Sequence, residues 1–186
     1  AVNLAAPNAA TLATGAYPVA NGIIGNRWYD RESRAVVLAE GGPAKSPANL
    51  SGSTIADELR LASNGQSRVV AVSGRASAAV FLGGRRPSGS YWMADSGEFV
   101  TSEHYRTGVP AWVQSFNNAN PITLSAARRW MATDAAPNAK PLRVLPSLSG
   151  ELSASFPAFF RSSPFAVRRT FEFAKASVKA EGLGTG

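Results

Sequence analysis

From Pro7 onward, apolar residues at Ala9, Ala10, Leu12 and Ala13 follow a helical spacing, and Gly15 supplies a stop. A short helix with proline in its first turn is therefore expected. Two short stretches, 27–30 and 35–38, lie around a polar turn at 30–33 and read as strands. Residues 41–52, rich in Gly, Pro, Ser and Ala, read as a connecting loop.

Ser53 is placed to cap a helix whose apolar positions Ile55, Leu59 and Ala62 share one face, with Asn64-Gly65 as its stop. The continuous run Val69-Val70-Ala71-Val72 then predicts a strand buried on both faces, and 76–82 a second helix. Helix, strand, loop and helix in this order point to a layered α/β sheet. Tyr91-Trp92-Met93 and Glu98-Phe99-Val100 flank Asp95-Ser96-Gly97, a hairpin pattern with glycine where a positive φ is required. A helix starting on proline is expected over 110–116. Residues 117–160 turn irregular and dense in Pro, Asn, Ser and Ala, which predicts a cap-like insertion. Ser163-Pro164 opens the last helix, with Val167, Phe171, Ala174 and Val178 as its stripe and Gly182 as its stop. Residues 182–186 read as a loop entering another strand, and no internal repeat is visible.

Composition narrows the partners. The 186 residues are 45% hydrophobic, close to the globular average, and 17% charged, below the usual quarter, so a globular rather than a disordered chain is expected. The net charge of +7 is carried by separated pairs, Arg85-Arg86, Arg128-Arg129 and Arg168-Arg169, without a basic run. A solvated basic surface is expected rather than a nucleic-acid interface. Cysteine is absent, which excludes a disulfide framework, a thiolate metal site and a cysteine nucleophile. No apolar run reaches the roughly 20 residues needed to span a bilayer, and the first residues show no basic stretch followed by an apolar one. No membrane partner and no visible targeting signal are therefore expected.

A longer pattern carries a resemblance. Ala6-Pro7-Asn8-Ala9-Ala10-Thr11-Leu12-Ala13-Thr14-Gly15-Ala16-Tyr17-Pro18, followed by Asn21-Gly22-Ile23-Ile24-Gly25-Asn26-Arg27-Trp28-Tyr29-Asp30, resembles the nucleophile region of nucleotide pyrophosphatase/phosphodiesterases and related threonine-type alkaline phosphatases. Gly89-Ser90-Tyr91-Trp92, Gly97-Glu98-Phe99-Val100, Pro110-Ala111-Trp112-Val113, Ser163-Pro164-Phe165 and Glu181-Gly182-Leu183-Gly184 are similar to later landmarks of the phosphatase members, in the same order. The resemblance to this branch of the alkaline phosphatase superfamily implies an α/β hydrolase of phosphate esters. It also implies two zinc ions that activate a threonine and stabilise the attacking and leaving oxygens.

Carried over residue by residue, the family's threonine falls on Ala5, which has no nucleophilic atom. Two histidines of its pattern fall on Ala9 and Asn21. Asn26 matches the asparagine that contacts a phosphate oxygen, and the family's lysine, aspartate and arginine fall on Arg75, Ala76 and Ser77. The implied phosphate-binding residues are Asn26 and Arg75, with no catalytic residue. The implied aspartate and histidine zinc ligands fall outside 1–186, so no zinc is expected on this chain. The lone histidine, His104, lies outside the matched motifs and is expected to be an ordinary surface residue.

Other candidates have plainer readings. Thr11 and Thr14 suit helix packing rather than nucleophilic attack. Asp57 and Glu58 diverge on a helix and read as a solvated face rather than an acid/base pair. The segment 83–89 lacks the lysine and hydroxyl ending of a phosphate loop and reads as a turn. Trp28, Tyr29, Tyr91 and Trp92 read as packing residues. The expectation is thus a partial three-layer α/β/α domain, with a core segment 1–116, an insertion 117–160 and a core helix and loop 161–186. Flanking segments or a partner would complete its sheet. A periplasmic or secreted location is implied by the resemblance alone. The functional expectation is a phosphate-ester hydrolase family member inactive by itself, and the alternative is a non-enzymatic phosphate- or partner-binding module.

Overall fold

The structure, a computed structural model, describes residues 4–134, 138–149 and 154–184. Residues 1–3, parts of the predicted insertion, and residues 185 and 186 at the end of the predicted final loop lie outside them.

Helix α1 (Ala5–Thr14) carries Pro7 in its first turn and ends on Gly15 at φ 67°, a left-handed conformation that costs glycine little. The short α2 (Pro18–Asn21) follows. Strands β1 (Arg27–Asp30) and β2 (Ala35–Leu38) pair antiparallel, and the Asp30 carboxylate accepts from the Ser33 amide at 3.0 Å to close their turn. A single 3-10 turn, Gly42–Ala44, interrupts the loop that follows.

Helix α3 (Ile55–Ala62) is capped by Thr54 and not by the predicted Ser53. The Thr54 Oγ1 accepts from the Asp57 amide at 3.1 Å, and Asp57 Oδ2 accepts from the Thr54 amide at 3.1 Å. Only Thr54 has a carboxylate three residues on to complete this reciprocal box. The predicted core stripe of α3 also faces the other way. Ile55 and Leu59 are 74% and 51% exposed, and the helix buries Ala56 instead.

Strand β3 (Val70–Ser73) runs parallel to β4 (Gly89–Met93) through helix α4 (Ala76–Gly83), and β4 pairs antiparallel with β5 (Phe99–Val100). The order β3-β4-β5 puts β3 at an edge, where only Ala71 is buried; the strand buried on both faces is β4, not the predicted 69–72. Alternation along β4 separates two cores. Trp92 joins Ala6, Ala10, Ala79, Val80 and Phe81 on one face, while Tyr91 and Met93 join Phe99, Val113, Phe160 and Phe173 on the other. Helices therefore cover both faces of the sheet, a three-layer α/β/α arrangement.

The second helical layer begins with α5 (Ala111–Ala119), directly after Pro110 as predicted. Within the irregular stretch lie a 3-10 turn, Ile122–Ser125, and a small antiparallel hairpin of β6 (Arg129–Trp130) and β7 (Arg143–Val144). Leu145 and two residues of α6 (Phe156–Arg161), Phe156 and Phe160, are buried in the second core. Helix α7 (Pro164–Ala180) closes this layer, again with a reversed stripe. Val167, Phe171 and Val178 are exposed, and Ala166, Arg169, Phe173 and Ser177 face inward. Ser163 occupies the cap position, yet its hydroxyl donates to the Phe160 carbonyl at 2.6 Å.

Phe173 organises this core. It stacks on Phe99 with centroids 3.9 Å apart and meets Tyr91 and Phe116 edge-on at 5.6 and 5.1 Å. Full burial of such a side chain contributes about 2–3 kcal/mol before specific ring contacts. Beyond α7, the Glu181 carboxylate accepts from Tyr91 Oη at 3.0 Å, Trp112 Nε1 at 3.1 Å and Arg106 Nη2 at 3.0 Å. That hub fastens the end of the helix to the sheet and to α5.

Candidate functional site

Helices α1 and α4 pack through small residues, Ala6, Ala9 and Ala10 on one and Ala79 with Val80 on the other. This close approach brings both N-termini to one cleft of about 530 Å³, lined by Ala5 of α1 and by Arg75, Ala76 and Ser77 of α4. Neither N-cap residue caps its helix with its own side chain, and neither first turn holds an acidic residue. First-turn amides without intrahelical partners, reinforced by the helix dipole, make such ends attractive to anions.

The predicted residues Ala5, Asn26 and Arg75 all line this cleft. Asn26 precedes β1, and its Oδ1 accepts from the Ala6 amide at 2.9 Å, which leaves the side-chain NH₂ as its donor. Arg75 sits at the cap position of α4, exposed, and its own amide is turned to Ser73 Oγ at 3.2 Å. Ser77 lies in the same cleft.

Further charged groups reach the cleft from distant parts of the chain: Arg27, Lys45 and Arg161, with Glu40 and Asp95. Lys45 pairs with Glu40 at 2.9 Å, and Arg161 pairs with Asp95. Among the described residues the guanidinium groups of Arg27 and Arg75 have no ion-pair partner, so the cleft carries an excess of positive charge. Arg27 adjoins Asn26 and was findable from sequence; Arg161, on α6, left no local signal.

The remaining candidates have structural duties. Ala9 is packed in the first core, and Asn21 is buried, donating to the Ala16 carbonyl at 2.8 Å and accepting from the Ile23 amide at 2.9 Å. Thr14 donates to the Ala10 carbonyl at 2.7 Å. Asp57 is not a solvated carboxylate: besides closing the α3 cap, it accepts from the Arg85 amide at 2.8 Å, and Arg85 Nη2 donates to the Leu50 carbonyl at 2.7 Å. The segment 83–89 is thus a turn that ties loops together. Tyr91 and Trp92 are buried, whereas Tyr29 is 61% exposed and is not a packing residue. His104 is exposed and meets the edge of Tyr105.

Among the described residues no three His, Asp or Glu side chains gather as a metal site. The two carboxylates in the cleft are already held by Lys45 and Arg161. This donor set does not fit the pair of zinc ions that the resemblance implies. No described helix is long and apolar enough to cross a membrane.

A family model described as type I phosphodiesterase / nucleotide pyrophosphatase matches residues 3–153. The chain belongs to this family. Among the curated members and relatives, alkaline phosphatase PhoV of Synechococcus elongatus is 34% identical over 92% of this chain and 36% of its own length. Alkaline phosphatase PafA of Elizabethkingia meningoseptica is 37% identical over 63% of this chain and 24% of its own. The crystal structure of wild-type PafA superposes with a TM-score of 0.81 at 27% identity, covering 98% of this chain and 41% of that one. A PafA variant substituted at a threonine, an asparagine, a lysine and an arginine superposes with a TM-score of 0.80. This phosphodiesterase-family chain therefore has the α/β fold of an alkaline phosphatase and spans well under half the length of these relatives.

Proposed function

We propose that this chain binds the phosphate group of a phosphate ester in the cleft between α1 and α4 and does not hydrolyse the ester by itself. One observation carries the reading: Asn26, which holds the first turn of α1, and Arg75, without an ion-pair partner among the described residues, converge on the uncapped N-terminus of α4. The Asn26 NH₂ and the α4 amides would donate to phosphate oxygens, and Arg75 would supply a charged fork. Spacing supports it as well. The threonine and asparagine substituted in the PafA variant stand as far apart in sequence as Ala5 and Asn26, and its lysine and arginine are two apart, as are Arg75 and Ser77.

Inactivity follows from Ala5, whose methyl group has no lone pair to attack phosphorus, and from the unsuitable donor set for zinc. Ser77 is no substitute, because the carboxylates that line the cleft with it are paired with cations rather than free to act as its base. A periplasmic or secreted setting forms part of the proposal; it rests on the family resemblance, and a cysteine-free chain tolerates an oxidising compartment. Calorimetric titration with inorganic phosphate, alongside 4-nitrophenyl phosphate turnover in zinc, tests it. Saturable binding with a Kd of about 1 mM or tighter and no turnover above the protein-free control is expected. Phosphate-inhibitable turnover, or no phosphate binding, would overturn it.

The reversed stripes of α3 and α7 and the open edge of β3 favour a second reading. We propose that polypeptide of the kind the longer relatives carry covers these surfaces, so that the chain alone self-associates. Sedimentation of the purified chain and of a Val167→Ser/Phe171→Ser variant decides it: association weakened in the variant supports the reading, and a wild-type chain monomeric at high concentration rejects it.

A further inference from the structure

A second cavity, of about 200 Å³, lies between α5, the Ile122–Ser125 turn, α6 and α7, and shares no residue with the phosphate cleft. Its apolar wall is made by Phe116, Ile122, Phe160 and Phe165. Three guanidinium groups, those of Arg128, Arg168 and Arg169, also line it. The one carboxylate there, Glu172, is engaged by Lys175 at 2.7 Å.

Arg169 is the unusual member. It is only 8% exposed, on the inward face of α7, yet forms no ion pair among the described residues. Its polar contacts are long bonds to neutral oxygens, the Gly97 carbonyl at 3.3 Å and Asn117 Oδ1 at 3.4 Å. Aromatic faces provide the rest, with the guanidinium carbon 5.2 Å from the Phe116 centroid and 5.7 Å from that of Phe99. Arg128 lies over Phe165 in the same way, at 5.6 Å. Ring faces repay part of the cost of removing a cation from water, but a buried cation with no anion hydrogen-bonded to it is an incomplete arrangement. Burial also pulls the Arg169 pKa down, and the Glu98 carboxylate, which forms no ion pair with it, offsets only part of that shift.

We propose that this cavity is a binding site for a small aromatic carboxylate, with the carboxylate on Arg169 and Arg128 and the ring against Phe116, Ile122 and Phe165. The chemistry selects the class. A guanidinium fork matches a carboxylate in two parallel hydrogen bonds, and the ring edges suit a flat apolar body. The volume sets the size: it is below the roughly 300–1,000 Å³ of sites that take drug-sized ligands, so a single ring is what it holds.

The test is an NMR titration of the isotope-labelled chain with sodium benzoate, benzamide and inorganic phosphate at constant ionic strength. Benzoate should saturably shift the Arg169 Nε–H signal and the amides of Ile122 and Phe165, with a Kd of about 1 mM for so small a ligand. Benzamide and phosphate should bind there at least about tenfold more weakly, since each lacks one half of the recognised group. Arg128 is exposed, so Arg128→Gln should leave the rest of the spectrum unchanged while weakening benzoate about threefold or more. Equal binding of benzamide or phosphate, benzoate shifts confined to the Asn26 and Arg75 cleft, or no saturable shift would each overturn the proposal.

Discussion

The Ala6 amide donates to Asn26 Oδ1 across 2.9 Å, joining the first turn of α1 to the residue that leads into β1. Asn26 therefore has two separable duties, an acceptor for the helix and a donor for an incoming anion. Asn26→Asp keeps the first and abolishes the second. Its thermal stability should stay within about 1 kcal/mol of the parent, helped by a negative charge at a helix N-terminus. Its phosphate affinity should fall at least about tenfold, through a lost donor and added repulsion. Asn26→Ala should lose both, and comparing melting curves with phosphate titrations separates the duties.

Restoring a hydroxyl at Ala5 should not restore catalysis. An Ala5→Thr chain is expected to hydrolyse 4-nitrophenyl phosphate no faster than buffer, and to retain less than about 0.1 zinc per chain after zinc loading and desalting. A value near two zinc ions per chain would show that the carboxylates of the cleft can be recruited from their cation partners.

The chain should weaken in alkali. Burial, first of all, pushes the phenols of Tyr91 and Tyr105 well above their ordinary value of 10.0, with Glu181 and Asp57 respectively adding to the shift. A raised folded-state value means that the unfolded chain loses these protons first. The stabilisation is complete below pH 10 and declines as pH rises beyond it. Urea melts at stepped pH should show this decline, and Tyr105→Phe should flatten it.

Gly84 is needed for its conformation and its space. At φ 71°, a β-carbon there would come within 2.4 Å of Thr54 Oγ1 and 2.6 Å of Asp57 Oδ1. Gly84→Ala should cost roughly 2–3 kcal/mol, combining left-handed strain with loss of the α3 cap. Thr54→Ala alone should cost about 1 kcal/mol. Because both changes break the same box, chemical denaturation of the double variant should show less than the sum.

The sequence patterns located elements better than they oriented them. The strands 27–30 and 35–38 and the Gly15 stop were legible because local turn chemistry decides them. The stripes of α3 and α7 were also real, but periodicity reports that a face is apolar and not what covers it. On α7 the inward face was hidden by Arg169 and Ser177, residues that pattern assigns to solvent, although Arg169 is shielded by rings from α5 and β5. The same limit applied to the cleft. Ala5, Asn26 and Arg75 could be found by resemblance, whereas Arg161 and Lys45 arrive through tertiary folding alone.

The Glu181 hub also imposes an order of events on synthesis. Its partners Tyr91, Arg106 and Trp112 precede it by 90, 75 and 69 residues. Contacts so distant in sequence close late, because the chain between them must first be gathered. On the ribosome, the α1 and α4 side of the sheet has all its residues long before the opposite side does. The aromatic face of β4 and β5, covered at first only by α5, must then wait for α7 to emerge, and in this interval the nascent chain is exposed to misassembly.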